Sequence, residues 1–299
     1  MRWQFDAARD GGSKAQFHGH PVFAGDLVIT PSDGRAIASV YALDRATGEL
    51  RWEWPAEGGV EADLLLAGGR VLALTFTAEL AALDARTGEE LWRLAPDPHT
   101  RAEFHKSAPA AGDGRVFFET DDGRLYAADL ATGKVLWKRE LGSDITTSLL
   151  LTAQGLLVGL ADGRIVRLDP ETGDVETALA VEGVPLGPLV LAEGVLLVLL
   201  GGEGTLLAVE ESLGKILWRR EQLGKWSAPR PTVRGDSVLM GTKDGELQAY
   251  ALRDGAPLWR HVFAGMLRGI GVAGDVLYVG TLGGRLYAYR PDADPPRPR

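Results

Sequence analysis

Cysteine and asparagine are both absent from the 299 residues, and methionine appears three times. Without cysteine there is no disulfide framework, no thiolate nucleophile and no Cys-ligated metal. Without asparagine there is no N-glycosylation site and no Asn ligand for a cation. Long apolar runs are missing as well: hydrophobic residues come in groups of about four to eight, whereas a membrane helix needs about 20. Lysine is scarce, 7 against 25 arginines, and the net charge of −9 argues against nucleic acid as a partner. Loss of Asn, Cys and Met suits a thermostable protein. A GC-rich genome that disfavours Asn and Lys codons gives the same composition. The start, Met1-Arg2-Trp3-Gln4-Phe5-Asp6, has no apolar h-region. It predicts no signal peptide and a cytoplasmic location for the chain as it stands, or an extracytoplasmic one if a leader has been removed.

One pattern fills the chain: an apolar strand, Asp, Thr-Gly, then a strand with Trp. It reads Tyr41-Ala42-Leu43-Asp44, Thr47-Gly48, Trp52. It returns at Leu83-Asp84, Thr87-Gly88, Trp92 and at Ala128-Asp129, Thr132-Gly133, Trp137. Weaker copies follow at Leu168-Asp169, Thr172-Gly173, at Gly214, Trp218 and at Gly255, Trp259. The turn glycines 48, 88, 133, 173, 214 and 255 are spaced by 40, 45, 40, 41 and 41 residues. A period of about 40 made only of short strands predicts propeller blades. Two further turns per period, such as Asp122-Gly123 and Gly25-Asp26, give four antiparallel strands, A to D, in each blade.

The ends set the blade count. A seventh unit runs from Leu267 to Tyr289 and stops in the Pro-rich tail 291–299 without a Trp strand. Arg2-Trp3-Gln4-Phe5 reads as the missing D strand. The prediction is therefore an all-β, seven-bladed β-propeller of four-stranded antiparallel blades, closed by the N-terminal strand, with residues 1–299 as one domain. Trp3, Trp52, Trp92, Trp137, Trp218 and Trp259 each fall on a D strand, where a repeated Trp is expected to pack between blades.

The unit Ala-Leu-Asp-x-x-Thr-Gly-x-x-x-Trp resembles the repeat of the pyrroloquinoline-quinone-type propellers. That family includes quinoprotein alcohol dehydrogenases and the propeller lipoprotein of the outer-membrane β-barrel assembly machine. The resemblance covers nearly the whole chain and speaks for fold more than for activity, because the repeat encodes blade packing. The dehydrogenases are longer and eight-bladed, with a vicinal Cys pair over the quinone, a Ca²⁺ site with an Asn ligand and a catalytic Asp. With Cys and Asn both at zero, quinone binding is not expected. The assembly lipoprotein is also eight-bladed and is anchored through a lipidated Cys, which this chain lacks.

Extra length marks the binding face of a repeat protein. Here it falls in two D–A linkers, 6–19 and 94–106, on the face that surrounds the channel mouth. With Gly25, Gly68 and Gly112 taken as equivalent, His18 matches Glu61 and His105, and His20 matches Asp63 and Ser107. Residues two apart on a strand face the same way. His18, His20, Glu61, Asp63 and His105 are therefore expected to converge near Arg230, where imidazoles and carboxylates could hold a divalent metal. A solvated polar rim accounts for the same residues. Arg101, Lys106, Lys225, Arg230 and Arg268 beside Trp226 form a candidate rim for an acidic ligand or partner segment, or are scattered surface charge.

No Ser-His-Asp set, carboxylate pair or phosphate loop is legible, so the leading expectation is a non-catalytic protein-interaction or sensor scaffold. Its partner would be a protein or an exposed peptide strand, with the chain itself a monomer. The alternative is a small-molecule or metal-binding propeller, with or without enzymatic activity, that uses the His/carboxylate cluster.

Overall fold

The computed structural model describes residues 3–7, 17, 19–32, 38–56, 59–60, 62–95, 108–120, 123–202, 204–221 and 230–291. It contains seven antiparallel sheets whose strands follow one another in simple up-and-down order. The first sheet is built from Val22–Ala24, Leu27–Pro31, Ser39–Asp44 and Leu50–Pro55. Sheets of the same order occupy residues 65–94, 110–140, 150–180, 185–220 and 232–262. These six have four strands each, as the turn spacing predicts.

The seventh sheet has three: Leu267–Ala273, Val276–Thr281 and Leu286–Tyr289. Of Arg2-Trp3-Gln4-Phe5, expected as its fourth strand, the described residues 3–5 are not in a strand. The rings of Trp3 and Phe5 rest on the first sheet. The Trp3 indole lies over the turn at Gly48 and donates from Nε1 to the Arg45 carbonyl at 3.1 Å. Phe5 packs 5.3 Å from buried Tyr41.

The Asp-x-x-Thr-Gly turn works through local hydrogen bonds. Asp44 Oδ1 accepts from the amides of Ala46 at 2.8 Å and Thr47 at 2.9 Å. Asp84, Asp129 and Asp169 repeat the arrangement with Arg86 and Thr87, Ala131 and Thr132, Glu171 and Thr172. The threonine hydroxyl then accepts the amide two residues on, as Thr47 does from Glu49 at 3.3 Å. An Asp whose carboxylate takes two amide bonds is a preformed turn. The same bonds favour the charged form. The Arg51 guanidinium, followed by the Thr47 and Ala46 amides, holds the Asp44 carboxyl well below the usual carboxylate range. Asp84 and Asp129 are also lowered, chiefly by the Thr87 amide and the Thr132 hydroxyl.

Each D-strand Trp then locks one sheet to the next. The Trp52 indole lies against Gly88 of the second sheet and donates to the Ala85 carbonyl at 3.3 Å. Trp92 does the same to Gly133 and Leu130, and Trp137 to Gly173 and Pro170. Trp218 repeats it with Gly255 and Leu252. The turn glycine is required twice over. Gly88 has φ +74°, and a Cβ there would sit 2.6 Å from Trp52 Cδ2. Opposite the Trp, on the paired C strand, stands an alanine every time: Ala42, Ala82, Ala127, Ala208 and Ala249. The ladder slips by one residue directly after each of these pairs, a bulge that aims the indole toward the neighbouring sheet. The alanine of the repeat is thus the small residue that leaves room for the ring. Trp259 packs instead against Tyr289, ring centroids 5.9 Å apart.

The chain divides into two compact units, residues 1–151 with 168–174, and residues 152–167 with 175–299. The 168–174 turn joins the first because Trp137 docks on it, and because Arg139 donates to the Thr172 carbonyl at 2.6 Å and to Asp174 at 3.0 Å. In the first unit Ile29, Val40, Ala42, Val71, Ala73, Ala81 and Leu83 are fully buried between two sheets. In the second, Leu197, Leu199, Leu206, Val238 and Met240 fill the same layer. Each large aliphatic side chain buried this way contributes about 1.5–3 kcal/mol. Among the described residues no helix is long and apolar enough to cross a membrane.

Candidate functional site

Of the residues expected at the channel mouth, the structure brings His20 and Asp63 together. These residues lead into the A strands of the first and second sheets. The His20 backbone amide donates to Asp63 Oδ1 at 2.7 Å, and His20 Nδ1 lies 2.8 Å from the same oxygen. One carboxylate oxygen thus accepts from both backbone and ring when the proton is on Nδ1, which leaves Nε2 as the nitrogen able to meet a ligand. The imidazole is 81% exposed and the carboxylate 39%, so the pair sits at the surface. An exposed pair of this kind adds about 0–1 kcal/mol of stability. His18, Glu61, His105, Arg101, Lys106, Lys225 and Trp226 lie outside the described residues. Among the described residues no group of three or more His, Asp and Glu side chains is placed to hold a metal. Arg230 and Arg268 belong to the second unit, and both are exposed.

The structure also shifts the register behind the cluster. The pairs that flank the two-residue A–B turn are Ala24 with Leu27, Ala67 with Arg70, and Gly112 with Arg115. The residue equivalent to Gly25 and Gly68 is therefore Asp113, not Gly112. Asp113 takes the left-handed conformation, φ +49°, where the other two have glycine at +57° and +54°. By count, His18 and Glu61 then correspond to Lys106, and His20 and Asp63 to Ala108. By the same count His105 is one residue from the position that matches His18, and both lie outside the described residues.

Sequence reasoning passed over a larger feature, a cavity of about 830 Å³ lined by parts of the first two sheets. Ala24, Leu27, Leu66 and Ala85 form its apolar wall, with Asp26, Asp44, Arg51 and Arg86 around it. Arg51 is fixed by Asp44, Nη2 to Oδ2 at 2.6 Å. The signal was present in the repeat. Arg51 stands before its Trp where Leu91, Leu136, Leu217 and Leu258 stand in other blades, and Ala85 is the smallest residue after the turn Asp.

The family model described as outer membrane protein assembly factor BamB matches residues 1–148, 76–176 and 161–293. The BamB of Yersinia pestis is 23% identical over 96% of this chain and 76% of its own length. The 1-butanol dehydrogenase (quinone) of Thauera butanivorans is 24% identical over 67% of this chain but only 30% of its own length. The crystal structure of BamB from Moraxella catarrhalis superposes with a TM-score of 0.78 at 22% identity, over 96% of this chain and 87% of that one. The seven sheets are thus propeller blades. The vicinal Cys pair and Asn ligand that the resemblance to quinoprotein dehydrogenases implies have no counterpart here, since neither Cys nor Asn occurs in the chain. A family described by its part in outer membrane protein assembly also overturns the expectation of a cytoplasmic location, which rested on the N-terminal residues alone. With residues 1–293 matched, the chain belongs to the BamB-type family of PQQ-like repeat propellers.

Proposed function

We propose that this propeller is a non-catalytic interaction scaffold that serves outer membrane protein assembly from an extracytoplasmic position. The observation that carries the reading is the extent of the family match: three overlapping segments span residues 1–293, and the Yersinia pestis BamB aligns along most of both chains. The dehydrogenase relatives share the blade repeat over a minor part of their own length. The residues support the same reading. Turn Asp, turn Gly and D-strand Trp are spent on blade packing, which leaves the D–A linkers and B–C turns to meet a partner. In the first unit that rim offers the His20–Asp63 pair, and in the second the exposed cations Arg230 and Arg268. The partner is a protein or an extended peptide strand, held by loops on a rigid support. Removal of the gene in the source organism tests this. Folded outer membrane proteins should fall in amount and recover on complementation. Unchanged levels, with a changed cytoplasmic phenotype instead, would contradict it.

A further inference from the structure

The cavity between the first two blades departs from the repeat at the positions that shape it. At the next junction, the residue after the turn Asp is Leu130, and its Cδ2 lies 3.4 Å from where a Cβ on Gly68 would stand. At the first junction the corresponding residue is Ala85, and a Cβ on Gly25 would meet nothing within 4 Å. In the second unit the same position is Leu252, 1% exposed. The leucine that stands here in two other blades, Leu130 and Leu252, is replaced by a methyl group at Ala85, and the core between Val22, Ala24, Leu27 and Leu66 opens toward solvent.

The second departure supplies charge. Arg51 replaces the leucine that precedes the Trp in other blades, and Asp44 holds its Nη2. Asp44 is itself consumed: Oδ1 takes two amides and Oδ2 takes Arg51. The arginine is therefore oriented by a partner that also binds the turn, and its remaining N–H groups are left for another acceptor. Arg86 also borders the cavity, with its charge acting on the Asp84 carboxylate of the same turn. Asp26 is the one carboxylate on the wall that opposes an anion without being tied to Arg51 by a hydrogen bond.

We propose that this cavity is a binding site for a small amphiphilic organic anion, with its apolar body against Ala24, Leu27, Leu66 and Ala85 and its acidic group at Arg51 and Arg86. A volume of about 830 Å³ lies in the usual range of ligand pockets, roughly 300–1,000 Å³, and an apolar wall with a few fixed polar groups is their common make-up. Guanidinium forks suit a carboxylate, sulfonate or phosphate. The site is independent of the partner-binding rim proposed above.

The test uses the whole chain and the fluorescent probe 8-anilinonaphthalene-1-sulfonate, an aromatic body with one sulfonate. Wild type should bind it saturably. Ala85→Leu restores the side chain found at Leu130 and Leu252. It should weaken binding at least about tenfold, with a melting temperature equal to or above wild type, because it fills space rather than opening it. Arg51→Leu with Arg86→Gln should weaken binding at least about fivefold and remove most of its salt dependence, while Asp26→Asn should tighten it. This charge series decides the matter if Ala85→Leu does not fold. Binding that is absent in wild type, or unchanged in both Ala85→Leu and the double arginine variant, would overturn the proposal.

Discussion

Gly69 and Gly88 form a matched pair for testing how the blades are joined. Both lie in the second blade, and both have φ +74°. A Cβ on Gly69 would meet nothing within 4 Å, whereas one on Gly88 would meet Trp52 Cδ2 at 2.6 Å and Cε3 at 2.7 Å. Alanine at either position carries the same backbone strain, about 1–2 kcal/mol for an L-residue in the left-handed region. Only Gly88→Ala also drives the indole off its seat. Trp52 is 8% exposed and belongs to the core of the first unit. Complete loss of its packing would cost about 3–5 kcal/mol, the range for large-to-alanine changes at buried aromatics. Partial displacement puts the expected gap between the two variants at roughly 2–4 kcal/mol. Urea unfolding followed by Trp fluorescence and by far-ultraviolet circular dichroism measures it. In Trp52→Ala the ring is gone, so the extra penalty of Gly88→Ala should shrink to that of Gly69→Ala. Equal destabilisation by Gly69→Ala and Gly88→Ala in the wild-type background would refute the docking account.

Three further outcomes follow from the same structure. Trp3→Ala removes an indole from the turn at Gly48 and its bond to the Arg45 carbonyl, so it should lower the melting temperature by several degrees; no change would mean that the N-terminal segment does not pin the first blade. Asp44, Asp84 and Asp129 are held below the ordinary carboxylate range in the folded chain. Their contribution to stability is therefore present above the unfolded Asp value of about 3.9 and is lost as pH falls through the lower folded values, so the melting temperature should be flat from pH 5 to 8 and drop below about pH 4. Asp44→Asn, Asp84→Asn and Asp129→Asn together should blunt that acid drop. Titration with pyrroloquinoline quinone and Ca²⁺ should give no saturable signal and no dye-linked alcohol oxidation, and stoichiometric binding would reverse the argument from the missing Cys and Asn.

The repeat was legible because its residues act locally. Asp binds amides two and three positions ahead, Thr binds the amide two ahead, and Gly takes a positive φ, so spacing alone reveals the turn. The Trp was legible for a different reason: a large ring repeated at one place needs one kind of seat. Where the Trp is missing, Val175–Ala180 is still a strand, with Thr177 taking a bond from Arg167 at 3.1 Å. Three features were not legible. The fourth strand of the seventh blade depends on backbone pairing far apart in sequence, and the described part of 2–5 is not in a strand although Trp3 takes the seat on Gly48 that a D-strand Trp takes on the next blade. The His105 register turned on whether Gly112 or Asp113 enters the turn, a choice glycine content suggests wrongly and strand pairing decides. The cavity comes from a side chain that is too short, and absence of bulk has no motif; only comparison of Ala85 with Leu130 and Leu252 reveals it. The His20–Asp63 contact was readable because equal A-strand spacing carries across the first two blades.

We propose above that this propeller holds a protein partner in outer membrane protein assembly. Affinity capture with the tagged full chain from the detergent-solubilised envelope of its source organism, quantified by mass spectrometry against a tag-only control, addresses it directly. Outer membrane assembly components should be recovered stoichiometrically, in amounts reduced by charge reversal at Arg230 and Arg268 and unaffected by Ala85→Leu. Recovery of the chain alone from the envelope, or its presence only in the cytoplasmic fraction, would contradict it.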